Sequence, residues 1–370
     1  MKMTLSNIQN SKGVNLVELM VGLALGSFMS IGVLQMYVSN RQTFSNNEAV
    51  AQIQDNSRFA IKMISDNARM AGYTGCISKD RGLSDTNTID DIPITNLLNN
   101  STGVNFNFGE AIVGYNDVGS SPPPDLATAL TGDPSPEAGT DVLVLRGAGG
   151  DNVPIVSNNN GAQFFAANTN STETCPSGAL SLSGLCDNDI VLASDCEKSV
   201  IFQITNIVNA SGRLNIGHSA TGNPGNAPPA SWGGNSGADT IGTDGEIIKM
   251  YTRIYYIGDN NGRPALYRKS NVDAAEVIAD NIIDMQVLYG EDTTATANYE
   301  VDQYSTADAV ADWSRVRSVR VNLLIASDND NVVQGGAAMT VPFNGQNYVA
   351  TDRRLYQVAT TTVVLRNRAQ

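Results

Sequence analysis

Lys12-Gly13-Val14-Asn15-Leu16-Val17-Glu18-Leu19-Met20 opens the run that decides the architecture. Residues 1–13 are polar and carry two lysines, Lys2 and Lys12; from Leu19 to Val38 no residue is charged. A helix rises about 1.5 Å per residue, so about 20 residues span the roughly 30 Å core of a bilayer. The two lysines hold the N-terminal end in the cytoplasm under the positive-inside rule and send the rest of the chain outward. The apolar run is too long for an ordinary secretory signal, and no small-x-small cleavage site follows it. A plain anchor leaves Glu18 unexplained, because a carboxylate at the edge of an apolar helix is costly unless it has a partner.

Outward from this run, no proline occurs before Pro93, so the helix need not break at the membrane surface. Gly22, Gly26 and Gly32 lie within the apolar run and would let helices approach closely or let the segment stretch. Beyond Val38 the chain turns polar but keeps helical periodicity: Ile53, Ala60, Ile64, Ala68 and Ala71 form one apolar stripe. Lys62 and Asp66 make an i,i+4 pair on another face, and Gly72 is a natural stop. The expected helix covers Val14–Ala71, about 85 Å.

The rest of the 370 residues reads as strands and loops. Strands are expected at Val142–Arg146, Asp189–Ala193, Val200–Val208, Ile247–Ile257, Ile282–Tyr289, Val316–Ile325 and Thr362–Leu365. Gly258-Asp259-Asn260-Asn261-Gly262 marks a hairpin between Tyr256 and Leu266. Pro/Gly/Asn-rich stretches near 115–140, 147–174 and 209–243 read as surface loops. With 41% hydrophobic residues, 16% charged and 34 glycines, the composition fits a loop-rich extracytoplasmic β protein.

Charge and motif searches exclude several functions. A net charge of −14 repels phosphate backbones, so no nucleic-acid partner is expected. Arg315, Arg317 and Arg320 are expected on the solvated face of a strand. The four cysteines, Cys76, Cys175, Cys186 and Cys196, contain no CxxC pair and offer no zinc spacing. Outside the cytoplasm an even count favours two disulfides, with three possible connectivities. A bond from Cys175 to Cys186 would close a short loop and leave Cys76 with Cys196, the expected pairing. A single histidine, His218, reads as a surface-loop residue; without a GxSxG elbow, no catalytic residues are assigned. Asp328-Asn329-Asp330 lacks the glycine and glutamate of a calcium loop, because Val333 and Met339 stand there, and reads as a turn. Gly147-Ala148-Gly149-Gly150 lacks the P-loop lysine and reads as a flexible loop. Neither metal nor cofactor is expected.

The leader stretch resembles a class III prepilin signal: a short basic segment ends in Gly13, and glutamate stands fifth after it. Three further stretches resemble the PilW family of type IV pilus minor pilins. The first runs from Ser39-Asn40-Arg41-Gln42-Thr43-Phe44 through Arg58-Phe59-Ala60 to Arg69-Met70-Ala71-Gly72-Tyr73-Thr74-Gly75-Cys76. The second joins Asp284–Gly290, Trp313 and Val316-Arg317-Ser318-Val319-Arg320-Val321; the third is Asp352–Tyr356 with Thr362-Val363-Val364-Leu365-Arg366-Asn367-Arg368. Ser194-Asp195-Cys196 also fits.

The resemblance implies an α+β, type IV pilin-like fold: a long N-terminal helix, transmembrane in its first half, packed on a large antiparallel sheet with long loops. It divides the chain into a leader at 1–13, a membrane half at 14–39, an amphipathic half at 40–72 and a β-rich head at 73–370. It further implies cleavage by a prepilin peptidase between Gly13 and Val14, methylation of the Val14 amine, and a register role for Glu18 opposite a neighbouring subunit's terminal amine. The implied protein is no enzyme but a minor pilin of the inner membrane. It would prime polymerisation and end at the pilus tip, among other minor pilins, the major pilin and a PilY-type tip adhesin. Pseudopilins of type II secretion share the leader and helix, and a tip-located binding module would look alike.

Overall fold

The computed structural model describes residues 15–75, 94–119, 121–169, 171–227, 240–333 and 338–368. A single helix, α1 (Leu16–Met70), runs for 55 residues, with Asn15 as N-cap and Ala71 as C-cap. Beyond it come β1 (Ile94–Asn96), β2 (Ile112–Val118), the short helix α2 (Pro124–Ala129), β3 (Thr140–Ser157), β4 (Gln163–Ala167) and β5 (Ile190–Ser194). Next are β6 (Ser199–Gln203), β7 (Asn206–Ala210), β8 (Arg213–Gly217), β9 (Glu246–Asp259), β10 (Pro264–Ser270) and β11 (Glu276–Asp280). The chain closes with β12 (Ile282–Glu291), β13 (Gln303–Ser305), β14 (Val316–Ala326), β15 (Thr340–Phe343), β16 (Gln346–Val349) and β17 (Tyr356–Val364), then a 3-10 turn at Arg366–Arg368.

These strands form a long sheet in the order β1-β6-β5-β9-β3-β4-β8-β7, with β2 on β3 and the β10–β11 pair on β9. A second sheet has the order β13-β12-β14-β17, and β15–β16 is a separate hairpin. Pairing is antiparallel except between β1 and β6. The expected α+β architecture is therefore present: one long helix on a large, mostly antiparallel head.

The sequence periodicity of α1 is also its burial pattern. Ile53, Ala60, Ile64, Ala68 and Ala71 are all buried. They pack in one core with Leu143 and Leu145 of β3, Tyr255 and Ile257 of β9, Met285 and Val287 of β12, and Val319, Val321 and Val363 of the second sheet. The helix thus seals the seam between the two sheets. Its stripe carries three alanines because small side chains let the helix lie close to both. Lys62 pairs with Asp66 at 2.6 Å on the open side.

Several expected boundaries shift. Residues 147–150 lie within β3 and are not a loop: Gly147, Ala148 and Gly149 pair with Tyr251, Met250 and Lys249 of β9. Glycine is needed there because a Cβ on Gly147 would stand 2.6 Å from the Met70 carbonyl oxygen. The presumed loops at 115–140, 147–174 and 209–243 also hold α2, β4 and β8. The single strand expected at Val200–Val208 divides into β6 and β7. The closing strand starts at Tyr356, since its threonines alternate faces as strand residues do. The hairpin at 258–262 forms as β9 and β10.

A buried carboxylate ties the sheets together. Asp141, at the start of β3, accepts from the Asp117 amide at 2.9 Å and from the Val287 amide of β12 at 2.7 Å. Burial pushes this carboxyl up to about 6, against the pull of those two amides. Burial likewise raises nearby Asp284 to about 6, against a bond from Gln286. Both groups bind protons more tightly when folded than when unfolded. Their stabilisation is therefore full below pH 3.8 and is lost as pH rises through 6. The chain should melt several degrees higher at about pH 5 than at about pH 7.5, the two groups together contributing about 2–3 kcal/mol. A melting temperature that is flat or falls between those two values would show that neither carboxyl is held protonated.

Candidate functional site

The first functional surface is the exposed half of α1. Leu16, Leu23, Leu25, Phe28, Ile31 and Leu34 are all exposed, as are the neighbouring residues of the run. The helix is long and apolar enough to cross a membrane. Water would not tolerate such a surface, so it needs lipid or other helices around it. Nothing lies within 4 Å of where a Cβ would sit on Gly22, Gly26 or Gly32, so these glycines leave shallow notches for a neighbour. The hydroxyls of Ser27 and Ser30 donate to the carbonyls of Leu23 and Gly26, which removes their polar demand inside the helix.

Glu18 stands in the first turn of this helix. Asn15, the cap, accepts from the Val17 amide at 3.4 Å, and Glu18 occupies the third helical position. A carboxylate there also favours the helix dipole. Gly13 and Val14, the expected cleavage point, lie outside the described residues, and so does Cys76.

The second surface is the joint at the far end of α1, where two of the stretches singled out above converge. Gly72 takes φ +76, which reverses the chain out of the helix, and its amide donates to the Arg146 carbonyl of β3 at 2.8 Å. The Ala148 amide returns a bond to the Tyr73 carbonyl at 2.6 Å. From the C-terminal tail, Asn367 Nδ2 donates to the Ala71 carbonyl at 3.3 Å. A Cβ on Gly72 would meet the Ala111 Cβ at 3.2 Å and the Arg368 side chain at 3.7 Å. Helix end, β3 and tail thus close on one another at the end of α1 opposite its exposed apolar half.

Arginines make the clamp. Arg146 sends three side-chain bonds to the carbonyls of Val104 and Glu110. Burial lowers it to about 10, so it stays charged at neutral pH. Arg368 donates to the Trp313 carbonyl at 2.5 Å and receives Arg317 Nη1 on its own carbonyl at 2.7 Å.

Two expectations are corrected here. Arg317 is 1% exposed and lies on no solvated face. Its guanidinium sits 4.6 Å over the Tyr299 ring and 3.9 Å from Asp292 Oδ2. Arg315 and Arg320 keep partial exposure. Strand alternation is what separates Arg317 from Arg320, and a carboxylate 25 positions away made the burial tolerable; spacing alone did not show it. His218 is likewise buried, although it lies outside regular structure. It packs edge-on against Phe164 and Phe202, and burial lowers its pKa to about 4, so it is neutral.

Asp292 is buried beside Arg317. Burial opposes its ionisation, but bonds from Thr294, Asn298 and Tyr299 outweigh that and hold it below the usual carboxylate range. Cys175 and Cys186 form a disulfide. Closing so short a loop removes unfolded-state freedom and contributes about 2–3 kcal/mol in the chain-entropy account. No described cysteine is free. Asp328, proposed within a turn, forms an ion pair with Arg263. Among the described residues no group of three His, Cys, Asp or Glu is arranged to hold a metal.

Residues 254–367 match the family model of type IV pilus-assembly protein W. The matched segment runs from the second half of β9 through β17 to Asn367, and so holds the Asp292–Arg317 tie and most of the tail. Neither the curated proteins nor the solved structures contain a match. The match bears out the family resemblance read from the sequence and associates the chain with type IV pilus assembly.

Proposed function

We propose that this chain, a PilW-family protein by its C-terminal third, acts as a minor pilin that primes pilus polymerisation in the inner membrane and stays at the tip. One observation carries the reading. α1 is a single helix whose exposed apolar half continues without a break into a half clamped in the head. Such a helix transmits the position of a membrane-embedded bundle to a large external domain. Cleavage after Gly13, with methylation at Val14, would create the terminal amine that Glu18 of a neighbouring subunit needs. The Cys76–Cys196 bond would pin the segment that follows the helix. Other minor pilins, the major pilin and a PilY-type adhesin are the proposed partners. The bulk of the head favours the tip, because a domain of this size would collide with itself along a tightly wound shaft.

The test is deletion of the gene in a strain whose pili cannot retract, with surface pili and secreted enzymes measured in the same cultures. Loss of pili with normal secretion is the expected result. Normal pili with lost secretion would move the protein to the pseudopilins of type II secretion, and no change in either would remove the priming role.

A further inference from the structure

The second sheet ends in β17, which among the described residues pairs with β14 alone. The Leu365 amide donates to the Arg317 carbonyl at 2.9 Å, and the Ser327 amide to the Leu355 carbonyl at 2.8 Å. Those bonds fix the alternation. Residues 357, 359, 361 and 363 face β14, so the amides and carbonyls of Tyr356, Val358, Thr360, Thr362 and Val364 point outward. The Tyr356 amide is taken by the Met339 sulfur. Among the described residues no hydrogen bond reaches the amides of the other four, and Thr360, Thr362 and Val364 are exposed.

Natural edges are blunted by charge, proline or shortness. β13 has only three residues, and β11 carries Glu276 and Asp280. β17 has nine residues, Tyr-Gln-Val-Ala-Thr-Thr-Thr-Val-Val, none charged and none proline. Three are valine and three threonine, the side chains that best suit a strand.

The charges lie just beyond the strand. Arg353 and Arg354 precede it and Arg366 follows it. Arg354 is matched by Asp352 at 2.7 Å. The Arg353 guanidinium bonds the neutral oxygens of Val333 and Asn331, and Arg366 is exposed. If two copies paired antiparallel along this edge, Arg366 of one would oppose Arg353 and Arg354 of the other. That repulsion disfavours a second copy.

We propose that β17 is an acceptor edge for an extended segment of another subunit of the assembly. The segment would be uncharged over about seven residues, with acidic side chains beyond its ends, and would add as a further strand. The inference takes its partner from the assembly reading above, while the edge itself is independent of it.

The test is backbone hydrogen exchange on the full chain in detergent, alone and in the complex of pilus subunits that co-purifies with it. Alone, the outward amides of Val358, Thr360, Thr362 and Val364 should exchange fast. In the complex they should slow by about tenfold or more. Thr362→Pro removes an outward amide and the exposed hydroxyl that accepts from Arg320, neither of which belongs to the β14 ladder, so it should leave the melt of the free chain near wild type yet reduce co-purification by about tenfold. Thr361→Pro, by contrast, breaks the β14 ladder and should lower the melt. An intact complex whose outward amides still exchange fast would overturn the strand pairing and leave the assembly reading standing. Protection already present in the free chain, together with a doubled mass, would overturn it in favour of self-pairing.

Discussion

Replacing Arg317 with methionine is expected to lower the melting temperature of the chain in detergent by about 5–8 °C, equivalent to about 3–5 kcal/mol. Asp292 beside it is as deeply buried as the arginine, with side chains 0% and 1% exposed. Methionine fills much of the volume but supplies no charge, so the carboxylate stays in a dry site with only its hydroxyl and amide donors. The change also removes the 2.7 Å bond that holds the Arg368 carbonyl, a side-chain tie between β14 and the last turn of the tail, while the backbone ladder up to Leu365 remains. The tail in turn holds Ala71 at the end of α1, so the loss should spread to the helix clamp. Arg320→Met is the control. Arg320 is partly exposed, stacks on Tyr304 at 4.0 Å and bonds only the Thr362 hydroxyl among the described residues. Its loss should cost about 1 kcal/mol or less. If thermal unfolding of the two variants coincides, the buried pair is not what secures the tail.

The contrast between these arginines shows where the sequence stops being informative. A helix declares itself locally, because residues three and four apart must share a face; the stripe from Ile53 to Ala71 was legible for that reason, down to its buried side. The strand cores were legible too, as runs of branched and aromatic residues. What was hidden depends on contacts distant in the chain. Arg317 looks like any strand arginine until Asp292 and Tyr299 are placed beside it. His218 looks like a loop residue until Phe164 and Phe202 enclose it. Gly147 reads as a flexible position until the end of α1 is seen to press on its backbone. The outward face of Glu18 is hidden in another sense, since its proposed partner belongs to a different subunit.

Glu18→Val should leave folding and cleavage intact while the chain's recovery with the other pilus subunits, and surface piliation, fall by about tenfold or more. The substitution makes the first turn more apolar, so insertion into the membrane improves if anything. The head is untouched, since Glu18 is more than 30 residues before the first buried position, Ala49. What disappears is the one acidic side chain in the described apolar half of α1. In a bundle of apolar helices the terminal amine of the neighbouring subunit would then be buried without a counter-charge, at a cost of about 3–5 kcal/mol. The energy matters less than its directionality: an apolar helix can slide along another by a turn at little cost, and a single charged pair makes one register preferred. Glu18→Asp separates the two roles. It keeps the charge but shortens the reach, so it should assemble better than the valine variant yet less well than wild type. Wild-type piliation by Glu18→Val would mean that the carboxylate serves only the N-terminal cap, where Asn15 already accepts from the Val17 amide.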